Sequence, residues 1–442
     1  MSGQRSSPRW LRVTAFLGLL LWGAGVELNE GVAALGLALA SAAALAELLR
    51  YPSDRRWLWR HGWPVLAYVG WVCLGASVAG RWPTGTGVSR ALEWCAVPLG
   101  GWALAKLSLR QWRILGWVIA VGFLASCVAA ALQSFGVWPP LEAFAPLRFT
   151  RIPFQHVYEP VQGSPGRFMG GGLLFHRLKF AHVGALTVLF ALPFALKGQG
   201  RLRWTALVVA GTGALAILLF PLARAAVVAL VMAAAILGVL SARNRVKAVA
   251  IGVGLVVVMS AAALSSRGLR ARFDMSLSGE GSGHRTQLWQ SGLNAVRTYP
   301  LAGVGAGRFV PRAFAAKDAS PEVLDLNAKS HNQLITLAAE SGLVGLLLFL
   351  WMMGSFVRVL WGDSPQALGA LGGVLFFGLI SMLHDPLFHP VVAMALMLSL
   401  SAGLASRWRR EASAAQGDGP RVDLPHGPSA EASGGQTDCA IG

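Results

Sequence analysis

The sequence is poor in charged residues and in cysteine. Of its 442 residues only 13% are Asp, Glu, Lys or Arg, whereas 55% are hydrophobic. Soluble domains carry roughly 25% charged residues, so this composition excludes an ordinary soluble protein. The four cysteines show neither disulfide nor metal-ligand spacing, which excludes a disulfide framework. We therefore expect an all-α membrane protein.

Motifs that bind metals or nucleotides are also missing. No Asp-x-Asp occurs, and His384 and His389 merely flank a short turn that contains Pro386. No Gly-rich loop ends in Lys and Ser or Thr, which argues against an ATP-driven pump. We expect no metal and no cofactor. The net charge of +18 comes mostly from loops between apolar segments, so we expect no nucleic-acid partner.

Long apolar runs dominate the chain. A helix needs about 20 apolar residues to cross about 30 Å of hydrocarbon. The runs predict a polytopic fold of about twelve transmembrane helices, at Leu11–Val26, Gly31–Leu49, Gly62–Ala79, Ala91–Leu107, Ile114–Phe135, Leu173–Leu196, Trp204–Phe220, Ala225–Leu240, Ala248–Leu264, Leu334–Val357, Ala367–Leu383 and Pro390–Ala405. Residues 1–410 are thus predicted to form a single transmembrane domain. The Gly- and Ser-rich tail, 411–442, is predicted to be disordered.

The positions of Lys and Arg predict the orientation. With the N-terminus inside, twenty Lys and Arg residues fall in inner loops, and only Arg81, Arg90 and Arg224 fall in short outer ones. Cytoplasmic loops are enriched in these residues. Both termini are therefore predicted to be cytoplasmic. The long loops at about 136–172 and 265–333 are predicted to face outward, the second of them helical and net basic.

The second long loop and the helix after it hold the residues best suited to chemistry. An arginine can hold phosphate oxygens with two hydrogen bonds, glycines permit tight turns, and a neutral histidine can accept a proton. In chain order these residues are Arg285 and Trp289 one helical turn apart, Gly303, Gly305 and Gly307, then His331 and Asn332, and Glu340.

This pattern resembles the O-antigen ligase and polymerase superfamily. The similarity lies in Arg-x-x-x-Trp, Pro-Leu-x-Gly-Val-Gly-x-Gly-x-Phe, and His-Asn followed by Glu-x-Gly before a Leu-rich helix, over about 285–350. The family also has an arginine at the outer end of an earlier helix, usually after Ser. Arg224 occupies that place here, after Ala223.

The resemblance implies a metal-independent, inverting membrane glycosyltransferase of the GT-C type. Such an enzyme moves a glycan from polyprenyl (undecaprenyl) diphosphate to an acceptor hydroxyl, such as one on lipid A-core. It implies that His331 orients or deprotonates the acceptor, and that Arg224 and Arg285 hold the diphosphate. It also implies location in the bacterial inner membrane with the active site facing the periplasm. The remaining partners are membrane lipids.

Several of these residues also have a purely structural interpretation. Arg224 can extend to lipid headgroups, which is the usual fate of an arginine at a helix end. Asn332 can cap a helix or orient His331, and Glu340 lies nearly on the opposite helix face from His331, which favours a hydrogen-bonding role. The glycines and Trp289 are interpreted as supporting residues. Arg177, in the first outer loop, is left open between substrate binding and anchoring; for its neighbour Lys179, anchoring is favoured.

Five functions are compared after this argument. The preferred one is an O-antigen ligase acting in lipopolysaccharide biosynthesis, and the nearest alternative is a polymerase of O-antigen or exopolysaccharide repeat units. Enzymes that glycosylate proteins belong to the same superfamily. A secondary transporter or flippase is less favoured because no matching Gly/Pro breaks occur in two halves of the chain. A non-catalytic scaffold has no need of outer His and Arg residues.

Overall fold

The computed structural model describes residues 8–51, 55–78, 80–139, 159–161, 164–241, 246, 283–317, 319–324, 329–362 and 364–415. Regular structure in this part of the chain is helical, apart from one isolated bridge between Pro160 and Phe168. The α-helices described are α1 (Arg9–Leu28), α2 (Glu30–Arg50), α3 (Arg55–Val78), α4 (Gly85–Glu93), α5 (Ala96–Ala105), α6 (Leu109–Ser134), α7 (Arg177–Lys197), α8 (Gly200–Leu219), α9 (Arg224–Ser241), α10 (Gly283–Thr298), α11 (Pro321–Leu324), α12 (Gln333–Leu360), α13 (Pro365–Ser381) and α14 (Pro390–Ala415).

Seven of these helices are long and apolar enough to cross a membrane: α1, α2, α6, α7, α8, α12 and α14. Two further apolar helices, within α9 and at α13, are shorter. The prediction of an all-α, polytopic membrane protein is confirmed. The predicted span Ala248–Leu264 lies outside the described residues. The last helix continues to Ala415, a few residues beyond the predicted start of the tail.

One predicted span, Ala91–Leu107, is not a continuous helix. It is divided between α4 and α5, which have 9 and 10 residues and are each only about 15 Å long. The chain tightens where they meet, because the Cys95 N–H donates to Leu92 O, three residues back. Pro98, the third residue of α5, has no N–H to donate to Trp94 O, so this hydrogen bond across the junction of the two helices is missing. Hydropathy counts apolar residues and does not detect this break.

The core of the bundle surrounds α14. The candidate span in this helix is 83% buried, and it packs against α5, α7 and α13. The Trp22 indole N–H of α1 donates to Met394 O of α14 at 3.1 Å. α1 and α2 cross at small residues, since a Cβ on Gly18 or Gly36 would meet the backbone of the other helix. Close approach through small residues is the usual way in which membrane helices associate.

The first residues of three helices lie at the same end of the bundle. α7, α9 and α12 begin there, and the loop that joins α13 to α14 passes over them. α12 is kinked near this end at Gly342, which has φ +72° and ψ 178°. These elements place residues from widely separated parts of the sequence in one region.

Candidate functional site

The turn that begins α12 holds His331 in a strained backbone conformation. His331 has φ +54°, a left-handed conformation that costs about 1–3 kcal/mol in a residue with a side chain. The Asn332 side chain accepts the N–H groups of Leu334 and Ile335 at 3.1 Å each. Asn332 is therefore the N-cap of α12, and His331 lies directly before a helix whose first N–H groups are already satisfied.

Three hydrogen bonds attach this turn to the loop between α13 and α14. Asn332 Nδ2 donates to Met382 O at 3.2 Å, and the Gln333 N–H donates to His384 O at 3.2 Å. In return the Leu387 N–H donates to Gln333 Oε1 at 2.9 Å. Because the turn is held at three points, the strained conformation before α12 is supported from outside the helix.

A chain of histidine rings extends from His331 into the bundle. The ring centroids of His331 and His384 are 6.2 Å apart, and those of His384 and His182 are 5.7 Å apart. Burial lowers the pKa of His331, and the charges of Arg285 and His284 lower it further. Burial, with the charge of Arg285 next, lowers the pKa of His384 to about 3. Both rings are thus neutral near pH 7, and a neutral imidazole can accept a proton.

Three arginines from three other elements approach these histidines. Arg177 begins α7, Arg224 begins α9, and Arg285 lies in the first turn of α10. The positive charges of Arg285 and Arg177 lie close enough to repel the guanidinium group of Arg224. The same two charges disfavour protonation of His384. Guanidinium groups gathered in this way suit an anion with several oxygens, because each presents a planar fork of N–H donors.

A tight connection between α8 and α9 positions Arg224. Leu222 in this connection is left-handed, with φ +49°. The loop between α6 and α7 folds back onto the connection, where the Gly170 N–H donates to Phe220 O at 3.0 Å. The neighbouring Gly171 N–H donates to Gln133 Oε1 of α6 at 2.8 Å. The start of α9 is therefore fixed by a loop that precedes it by fifty residues.

Each of the two basic residues at the head of α7 forms an ion pair with a carboxylate from another part of the chain. Arg177 Nε lies 2.6 Å from Glu159 Oε2, so the loop between α6 and α7 brings a carboxylate to one of the three arginines. Lys179 Nζ lies 2.6 Å from Glu30 Oε2, which ties the head of α7 to the head of α2. Both residues therefore have a carboxylate partner, and Arg177 in addition lies close enough to Arg224 and His384 for its charge to act on them.

The glycine-rich loop docks on the kink of α12. The Val304 and Gly305 N–H groups donate to Ala339 O and Glu340 O, each at 2.9 Å. Gly303 has φ +67°, and a Cβ there would overlap the backbone at Glu340 and Gly342. In the structure these glycines allow close backbone approach, and they form a group separate from His331. The Glu340 side chain lines a cavity beside α12.

The structure brings His331, Arg224, Arg285 and Arg177 together, with Asn332 as the helix cap. Trp289 lies on the same helix as Arg285, and its buried indole N–H has no hydrogen-bond partner among the described residues. Sequence analysis missed the roles of His384 and Glu159 as neighbours of this group. For His384 a signal existed, since His-Asp-Pro separates two apolar runs on the predicted outer side. No comparable signal marked Glu159.

Within the ranges that the structure describes, no group of three His, Cys, Asp or Glu side chains is arranged to hold a metal ion. The described part of the site presents guanidinium groups and neutral imidazole rings. Arginine groups can stabilise negative charge on a leaving group, and a neutral imidazole can take up the proton of a hydroxyl group.

Part of the chain is similar to known proteins. Residues 207–350 match the family model described as O-Antigen ligase, a segment that includes Arg224, Arg285 and His331. The chain is also similar to the exopolysaccharide production protein ExoQ of Rhizobium meliloti (strain 1021), with 28% identity over 141 residues. That alignment covers 29% of this chain and 32% of ExoQ, so it spans about a third of the relative. The resemblance to the O-antigen ligase and polymerase superfamily is confirmed.

Proposed function

We propose that this chain, a membrane protein of the O-antigen ligase and polymerase superfamily, transfers a glycan from polyprenyl diphosphate to an acceptor hydroxyl. The observation that carries the proposal is the convergence of Arg224, Arg285 and Arg177 at one end of the bundle, where the charge of Arg285 acts on a neutral His331. A diphosphate leaving group needs several cationic donors, and a hydroxyl nucleophile needs a base. Both requirements are met at one end of the bundle.

In the proposed reaction the arginines bind the oxygens of the donor diphosphate. The acceptor oxygen attacks the anomeric carbon from the side opposite the diphosphate, and a new C–O bond forms. The bond from that carbon to the phosphate oxygen breaks, and its electron pair leaves with the diphosphate, so the configuration is inverted. The hydroxyl proton passes to the His331 ring. The arginines stabilise the charge that develops on the leaving group.

The preferred acceptor is lipid A-core, which makes the chain an O-antigen ligase of lipopolysaccharide biosynthesis. The description of the matching family supports this choice. A repeat-unit polymerase is the second candidate, because the similar protein ExoQ is described as an exopolysaccharide production protein. Both reactions use a polyprenyl-linked donor and the same arrangement of arginines and histidine, so they differ only in the acceptor.

The proposed location is the bacterial inner membrane, with both termini in the cytoplasm and the site facing the periplasm. The excess of Lys and Arg in alternate loops supports this orientation. Every element of the site lies at the end of the bundle assigned to the outside. Single-cysteine labelling with an impermeant reagent tests the orientation. Labelling of residues 283–317 only after the membrane is breached would contradict it.

The function is tested with purified protein, a polyprenyl diphosphate-linked glycan and either lipid A-core or a second lipid-linked glycan. Transfer should occur, and His331→Ala should lower its rate by about 10²–10⁴-fold, which is the usual contribution of a general base. His61→Ala is a matched control, because His61 lies at the other end of the bundle near Glu411. Full activity in the His331 variant would remove this residue from the mechanism.

Deletion of the gene in its host separates the two candidates. Loss of a ligase leaves lipid A-core bare while long polymer accumulates on the polyprenyl carrier. Loss of a polymerase leaves lipid A-core that carries a single repeat. The single-repeat product would contradict the ligase assignment and favour the polymerase.

A further inference from the structure

Three consecutive glycines between α6 and α7 form a buried segment that takes no direct part in the proposed reaction. They are Gly170, Gly171 and Gly172, and we call them the triple-glycine segment. A Cβ on Gly170 would overlap the backbone of Ala130 in α6, and a Cβ on Gly172 would overlap Ser126. Gly172 is also left-handed, with φ +61°. Glycine is therefore required where this segment lies against α6.

Polar side chains on α6 hold the segment in place. Ser126 and Gln133 lie two turns apart on the same face of the helix, and both are 0% exposed. Gln133 Nε2 donates to Gly172 O at 2.9 Å, and its Oε1 accepts the Gly171 N–H at 2.8 Å. Ser126 Oγ accepts the Leu173 N–H at 3.1 Å. Buried polar groups are costly unless they are hydrogen-bonded, and here both side chains are satisfied by the backbone of this loop.

The first glycine of the segment connects it to Arg224. The Gly170 N–H donates to Phe220 O at 3.0 Å, at the end of α8. Only three residues separate Phe220 from Arg224, and one of them is the left-handed Leu222. Because this connection is short and strained, a displacement of Gly170 is passed on to the start of α9 and to the Arg224 side chain.

The two ends of the segment also fix Arg177. After the segment, the Phe175 N–H donates to Gly172 O at 3.1 Å, two residues before Arg177 begins α7. Before the segment, the Met169 N–H donates to Glu159 O at 2.9 Å. Glu159 is the residue whose carboxylate pairs with Arg177. The backbone of Arg177 and its ion-pair partner are therefore both attached to the same short stretch of chain.

The third arginine has a different support. Arg285 lies in α10, which packs against α12 and against the turn Pro311–Phe314. Arg177 and Arg224 thus share one support through α6, and Arg285 depends on another part of the bundle. This difference makes the effect of the shared support measurable.

We propose that Gln133 is a positioning residue for the donor: through the triple-glycine segment it fixes Arg177 and Arg224 relative to each other, so that both bind one diphosphate. Gln133 is fully buried and acts only through the loop. Two guanidinium groups bind two linked phosphates well only when their separation is fixed, whereas a single phosphate has no such requirement. The inference rests on the proposed function and deepens it.

The first test compares two lipids in the absence of acceptor. Binding of polyprenyl diphosphate and of polyprenyl monophosphate to the full-length protein is measured by thermophoresis in detergent. Gln133→Met keeps the length of the side chain and removes both hydrogen bonds. It should raise the Kd of the diphosphate about tenfold, a fraction of the arginine hydrogen bonds, and that of the monophosphate less than about threefold. An unchanged diphosphate Kd, or equal changes for the two lipids, would overturn the proposal.

Two further variants separate positioning from a general loss of stability. Ser401→Ala removes a buried hydrogen bond to Val97 O of α5, about 16 Å along α14 from its first residue. It should leave both Kd values unchanged even where it lowers the Tm. Ser126→Ala removes only the bond to Leu173 and should raise the diphosphate Kd about threefold, which keeps the proposal testable if Gln133→Met does not fold. The same rise in Ser401→Ala, or none in Ser126→Ala, would contradict the proposal.

Double variants test whether Gln133 acts through the arginines that it is proposed to position. In the Arg224→Ala protein, Gln133→Met should raise the diphosphate Kd by less than about threefold, because one of the groups that it positions is already absent. In the Arg285→Ala protein the rise should remain about tenfold, because Arg285 has a separate support. The opposite order of the two effects would overturn the proposed connection.

Failure of the inference and failure of the function can be told apart by adding the transfer assay. If the wild-type protein transfers glycan but Gln133→Met binds the diphosphate normally, the positioning role is wrong and the function stands. If Gln133→Met weakens diphosphate binding as expected but the wild-type protein transfers glycan to neither acceptor, the function is wrong and the positioning role stands.

Discussion

Gly342 lies where the glycine-rich loop docks on α12, the helix that follows His331, so its replacement tests how the site is supported. Its φ of +72° and ψ of 178° are accessible essentially only to glycine. A Cβ at this position would overlap the carbonyl group of Leu301. Gly342→Ala should therefore cost about 1–3 kcal/mol for the backbone conformation and about 1–3 kcal/mol for the overlap.

The matched control lies on the same helix. A Cβ at Gly354 would meet nothing within 4 Å, so Gly354→Ala should change stability by no more than about 1 kcal/mol, in the stabilising direction. Thermal unfolding in detergent, followed by size-exclusion chromatography, measures both variants. Gly342→Ala should lower the Tm by about 2–6 °C and lower transfer as well. Equal Tm values for the two variants would refute this account of the docked loop.

Three further predictions concern the chemistry. Burial and Arg285 lower the pKa of His331 below its ordinary value of 6.5, so kcat/KM should be constant near pH 7 and decrease only in more acidic solution, where the base becomes protonated; a decrease that starts above pH 7 would contradict this. Arg224→Ala and Arg285→Ala should chiefly raise the donor KM, and Lys should restore it only in part, because a point charge lacks the planar fork; full rescue by Lys would exclude bidentate binding. Transfer should be unchanged by EDTA, and loss of activity that added metal restores would reject the metal-independent mechanism.

Local pattern was sufficient to predict the class of protein. Apolar runs of membrane length predict helices, because the backbone must satisfy its own hydrogen bonds in lipid. The part of the chain that the structure describes has seven helices of suitable length and composition. The motif residues Arg285 and His331 were also identified from spacing and family resemblance. Their types are dictated by the chemistry, which needs a planar cation for phosphate and a neutral base for a hydroxyl.

Hydropathy failed where a hydrogen-bond pattern decides the structure. The run Ala91–Leu107 is apolar throughout, yet it is divided into α4 and α5. A helix break of this kind depends on the missing N–H of Pro98 and on the packing of α5 against α14, which average hydropathy does not describe. The same break places Arg90 and Glu93 beside the cavity that Glu340 lines along α12, away from the middle of a long span.

By itself, the sequence determined that the chain is a helical membrane protein, and it predicted arginine and histidine as the residues of its chemistry, because composition and spacing are local properties. Only the tertiary structure brought Arg177, Arg224 and Arg285 into one region with His331 and His384. It also paired Glu159 with Arg177. These residues come from helices far apart in the chain. Their meeting depends on how the helices pack and on which loops fold back over them, and packing is a property of the whole bundle.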